Sequence, residues 1–141
     1  MNWYLNVLKN YTNFTGRARR KEYWMFLLFH YLIIIFLVML LVFSSENFSD
    51  SSEMDVLSII LSTLLILYFL GTILPFLAVT ARRLHDTDKS AWWYLICIIP
   101  YIGRFIILIF TCMDSYGGTN KWGPNPKKEG SDVLINQIGK E

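Results

Sequence analysis

The 141-residue chain holds two cysteines, two histidines and four prolines, and each shortage removes a class of explanation. Cys97 and Cys112 are 15 positions apart. On a straight helix that is about 22 Å, far outside disulfide reach, so they read as small apolar packing groups. No Cys/His spacing matches a zinc site, and no cofactor is implied. No internal repeat is visible, and no stretch outside the apolar runs is long enough for a second folded unit. Charge is the most telling scarcity. Residues 23–43 and 56–79 carry no formal charge, and residues 91–112 carry only Arg104. A helix in a soluble protein needs a polar face on every turn, and these runs have none. At about 1.5 Å per residue, the shortest run (21 residues) reaches roughly 31 Å, the thickness of bilayer hydrocarbon.

The expected fold class is therefore an all-α integral membrane protein with three apolar helical segments, the third broken or re-entrant near Pro100. An N-terminal amphipathic interfacial helix joins them, because Trp3, Tyr4, Val7, Leu8 and Tyr11 fall on one face of residues 2–11. It either lies along the membrane surface or packs on its own spans. Residues 1–128 form one membrane domain, with spans at 23–43, 56–79 and 91–112, and residues 129–141 a polar tail. A secretory signal does not fit the first run, since a signal core has about 7 to 15 apolar residues. Pro75 in the second run requires a neighbour to satisfy the carbonyl it frees. Ile99-Pro100-Tyr101-Ile102-Gly103-Arg104 interrupts the third, where an arginine costs about 2.5 to 3.5 kcal/mol on insertion scales. A full span and a re-entrant hairpin both remain open for 91–112, and with them the side of the C-terminus.

The charges that exist are segregated. Residues 1–22 hold five Lys/Arg and one Glu, residues 44–55 four acids and no base, and residues 80–90 three bases and two acids. The positive-inside rule then puts the N-terminus and the 80–90 loop in the cytoplasm. Tyr23-Trp24 and Trp92-Trp93 mark the same interface. Nucleic acid is a poor partner for basic groups that are interrupted by spans. If the second helix continues past residue 79, Asp86 is four residues from Arg82 and three from Arg83, so it can pair with either. Ser90 is placed to cap the helix that follows. His30, inside the first span, needs a hydrogen-bonding partner on another helix.

Three motifs carry a resemblance: Phe14-Thr-Gly16-Arg17-Ala-Arg19-Arg20-Lys-Glu22-Tyr-Trp24, Arg82-Arg83-Leu-His85-Asp86-Thr-Asp-Lys-Ser90-Ala-Trp-Trp93, and Asn120-Lys-Trp-Gly123-Pro124-Asn-Pro126. Together they closely resemble a bacterial inner-membrane family, the domain-of-unknown-function family 805, over about residues 2–128. The resemblance implies a plasma-membrane location and a compact multi-span helical domain, with no established activity. Arg104 departs from it, because such chains usually follow Pro-x-x-Gly with an apolar or aromatic residue. Gly16, Arg17, Arg19, Arg20, Glu22, Arg82, Arg83, His85, Asp86 and Ser90 make up a candidate cytoplasmic face; Asn120, Gly123, Pro124 and Pro126 make up a candidate C-terminal motif.

Membrane threading already accounts for most of these charges. The leading reading is a structural or interaction protein whose basic face contacts anionic lipid head groups or a partner's acidic segment, alone or as a homo-oligomer. The alternative is a subunit of an oligomeric transporter or channel, suggested by the Pro and Gly interruptions around Arg104. A third is an interface enzyme with His85 as general base, Asp86 or Glu22 orienting it, and arginines holding a phosphate. No nucleophile or metal accompanies that set, and a salt-bridged elbow explains the same residues.

Overall fold

A computed structural model describes residues 2–47 and 56–126, and all of its regular elements are helical. They are α1 (Asn2–Lys9), α2 (Arg20–Asn47), α3 (Val56–Asp86), a 3-10 helix (Ala91–Ile98) and α4 (Ile102–Cys112). Helices α2 and α3 have 28 and 31 residues, about 42 and 46 Å, so each exceeds the hydrocarbon core and projects into the head groups. Only 17% and 6% of their most apolar stretches are buried inside the molecule. The core helix of a soluble protein would be mostly covered. Here Leu32, Ile35, Phe36 and Met39 of α2 and Ile60, Ile66 and Leu70 of α3 face outward, as lipid-facing groups do.

The two long helices run antiparallel. Glu22 meets Arg82, Phe26 packs beside Val79, and His30 Nδ1 lies 3.2 Å from the Tyr68 hydroxyl, so partners on α3 descend as those on α2 rise. The tyrosine is the partner that an intramembrane histidine requires. The apolar face of α1 is covered by these helices. Val7 is fully buried with Ala18, Tyr23, Phe26 and Val79, and Tyr4 stacks on Phe26 at 5.5 Å. Packing on its own spans, rather than contact with lipid alone, holds this helix.

Pro75 shows how the N-terminal segment is tied down. A proline has no N–H to give the carbonyl four residues back, which in α3 is that of Gly71. The Tyr11 hydroxyl donates to that oxygen at 2.5 Å. The polar group orphaned inside the helix is thus satisfied by a residue 60 positions away.

Residues 91–112 do not form one helix. Ser90 caps the 3-10 helix, its Oγ accepting from Trp92 N, and the chain then reverses at Pro100-Tyr101-Ile102. Ile102 N donates to Pro100 O at 2.8 Å around Tyr101, whose φ is +64°. This is the strained form of γ-turn. Gly103 lets the two arms touch: a Cβ there would lie 1.8 Å from the Ile96 carbonyl oxygen. The run enters and leaves at the same end of α3, because Trp93 packs edge-on against Phe110 and Arg83 Nε donates to Thr111 O at 3.1 Å. Each arm is about 16 Å long, half the hydrocarbon thickness.

Candidate functional site

At the end where α3 stops, Asp86 is completely buried and collects hydrogen-bond donors from both directions along the sequence. Arg17 Nε donates to its Oδ1 at 3.0 Å, with side-chain exposures of 2% and 0%. Arg83 Nη1 and Ser115 Oγ both donate to Oδ2, the latter at 2.6 Å. Its main-chain oxygen accepts from Tyr116 N at 2.8 Å and from Arg17 Nη2 at 3.3 Å. A buried carboxylate demands this density of donors.

Arg17 and Arg83 use what remains of their guanidinium donors to hold carbonyls. Arg17 reaches Tyr116 O at 2.7 Å, Gly118 O at 2.8 Å and Gly123 O at 3.3 Å. Arg83 reaches Ala18 O, Thr111 O and Met113 O. A planar fork with five N–H groups is suited to bridging several loops at once. Arg20 Nε adds a bond to Met113 O at 2.7 Å. The loop of residues 113–126 is thereby fastened to the segment before α2 and to the end of α3.

Arg82 points elsewhere, about 100° around the helix from Arg83. Its Nη1 donates to Glu22 Oε1 at 3.2 Å, and both side chains are nearly covered, at 6% and 8% exposure. Burial pushes the Glu22 carboxyl above its ordinary value against the opposing pull of Arg82, and burial pushes Arg82 down against the pull of Glu22. Both shifts have the sign of a net desolvation cost. Stability from a raised carboxyl is full below its ordinary value and is lost as pH rises through the raised one. Arg82 Nη2 is buried with no hydrogen-bond partner among the described residues.

His85 lies flat against Trp122, ring centroids 4.3 Å apart and planes 8° from parallel. Its Nδ1 is 3.3 Å from Gly16 O. A carbonyl only accepts, so Nδ1 carries the proton and Nε2 the lone pair. Burial pushes its pKa below the ordinary imidazole value, partly offset by the hydrogen bond to the Gly16 carbonyl. Gly16 (φ +86°) and Gly123 (φ +127°) adopt backbone conformations that favour glycine. Asn120 Nδ2 donates to His85 O at 2.7 Å, while its main chain pairs with Gly123 in both directions at 3.1 Å.

A family model described as a protein of unknown function, DUF805, matches residues 11–124. The chain belongs to the DUF805 family. It is 46% identical over 129 residues to the inner membrane protein YhaH of Escherichia coli (strain K12), covering 92% of this chain and 99% of that one. It is 44% identical over 129 residues to the inner membrane protein YhaI of the same strain, covering 90% and 97%. No solved structure matches it significantly. Together with two exposed apolar helices of spanning length, these relatives make it a multi-pass inner-membrane protein.

The three segments that carry the DUF805 resemblance are the three that meet around Asp86. Gly16, Arg17, Arg20, Arg83, His85, Asp86, Asn120 and Gly123 belong to one bonded cluster. Glu22 and Arg82 form a second pair beside it. Arg19 is half-exposed near Glu22, Ser90 serves the 3-10 helix, and Pro124 is exposed, so these three do not join the cluster. Pro126 lies at its half-exposed margin. Sequence reasoning missed Ser115, Tyr116 and Trp122. A lone tryptophan in a Gly- and Asn-rich turn was the available signal, since such a turn needs no aromatic of its own.

Proposed function

We propose that the Asp86 cluster is a structural latch and that the protein works as an interaction platform on the cytoplasmic face of the inner membrane. The observation that carries this is the division of the basic residues into two sets. Arg17, Arg82 and Arg83 are spent on internal partners. Arg19, Lys21 and Lys121 stay at least partly exposed at the same end. The outer set is suited to anionic lipid phosphates or a partner's acidic segment, at about 1 kcal/mol for each cation near an anionic surface. The cytoplasmic side follows from the positive-inside rule. An enzyme built on His85 has less support, because the carboxylates that would orient it are engaged by Arg17, Arg83 and Ser115 or by Arg82.

The test is native mass spectrometry of the purified full chain titrated with phosphatidylglycerol. Replacing Arg19, Lys21 and Lys121 together with Gln is expected to weaken lipid retention about 100-fold, since three cations supply roughly 3 kcal/mol. Retention equal to wild type sinks the platform reading.

A further inference from the structure

Arg104 takes no part in the latch. It is exposed in the first turn of α4, with exposed Tyr101, Ile102, Phe105 and Leu108 around it. Eight residues separate it from Cys112 at the exit of the hairpin, about 12 Å of helix in a hydrocarbon layer about 30 Å thick. Side chains on a helix lean toward its N-terminus, which here is the hairpin tip, so the guanidinium extends further from the near face. The touching arms at Gly103 and the γ-turn at Tyr101 fix that depth. Tyr94 and Cys97 lie within reach of its charge. Among the described residues it forms no ion pair.

A second copy of the chain offers no counter-charge. Residues 23–43 and 56–79 hold no acid, and residues 91–112 would bring only another Arg104. The anion available around a lipid-exposed arginine is the phosphate of the membrane itself. Among the described residues, only α2 and α3 continue beyond the hairpin tip. Beside the hairpin, Tyr94 also lines a mainly apolar groove of about 240 Å³ with His30, Thr72 and Phe76.

We propose that Arg104 is a mid-membrane binding site for the phosphate of a phospholipid, through which head groups pass between leaflets along the outer face of the hairpin. The full chain is reconstituted into phosphatidylcholine–phosphatidylglycerol vesicles carrying a trace of head-group-fluorescent phospholipid, and dithionite is added outside. Without exchange, bleaching stops when the outer leaflet is spent; with the wild-type chain it is expected to run to near completion. Arg104→Leu is expected to slow the second phase by at least about tenfold, while Arg104→Lys keeps most of it. Both substitutions are at an exposed position and leave the latch intact. Wild-type bleaching that stops at the outer leaflet overturns the proposal, as does Arg104→Leu exchanging lipid at the wild-type rate. Chloride entry into the same vesicles without lipid exchange also overturns it, in favour of a path for free anions.

Discussion

Asp86 and Glu22 are both buried acids facing arginines, yet their situations differ. Asp86 is saturated by two guanidinium groups, a hydroxyl and the polar loop that they hold. Glu22 has one side-chain hydrogen-bond partner among the described residues, Arg82, which itself keeps an unsatisfied nitrogen. A buried pair of that kind is expensive to break and cheap to replace whole. Glu22→Leu alone is expected to cost about 3 to 5 kcal/mol by stranding Arg82, whereas Glu22→Leu with Arg82→Met should return to within about 1 kcal/mol of wild type. Unfolding of the three proteins in detergent reads this directly. A double variant as unstable as the single one would show that Glu22 acts through another contact. Asp86 also marks how far sequence arithmetic reaches. Spacings of three and four residues allow both Arg82 and Arg83 as partners, and the structure selects Arg83. The second partner, Arg17, lies 69 positions away, where helical periodicity gives no information.

Among the elements, α2 and α3 were legible because length and absence of charge are properties of the run itself. The need to satisfy the Gly71 carbonyl was legible from Pro75, although nothing local named Tyr11 as the donor. The run 91–112 was ambiguous for a physical reason. Its composition suits lipid whether it crosses or turns back, and only contacts at both ends distinguish the two. Gly103 is the residue on which the turn depends. Gly103→Ala drives a methyl into the Ile96 carbonyl and is expected to lower stability by about 3 kcal/mol through overpacking. Gly71→Ala is the control, since its Cβ would meet nothing within 4 Å. A gain of up to about 1 kcal/mol in helix propensity is expected there. Thermal unfolding of the two variants compares them, and equal midpoints would contradict the close approach of the arms.

For the whole molecule, two antiparallel helices of spanning length and a hairpin that turns back bring the ends of the described chain to one side. Arg17 and the loop of residues 113–126 then share a compartment, as their hydrogen bonds require. Thr119→Cys in a Cys97→Ala, Cys112→Ala background is expected to react with an impermeant thiol reagent only after cells are opened. Labelling in intact cells would place a full crossing between the latch segments, which their bonding forbids. That the three motifs converge was not legible in the chain. The first two looked like boundary markers of their own spans, because a basic cluster beside an aromatic pair serves that purpose without any partner, and the third, rich in Gly, Asn and Pro, looked like a turn.

Arg17 adds a matter of timing. Its acceptors lie 69, 99, 101 and 106 residues downstream, so they have not been synthesised when α2 enters the membrane. During insertion the guanidinium is an uncompensated charge, free to hold the N-terminus on its side. Once the C-terminal loop emerges, the same group is neutralised and sealed away. One arginine thus serves first as an instruction for orientation and later as a fastening, and the order of synthesis keeps the two duties from competing.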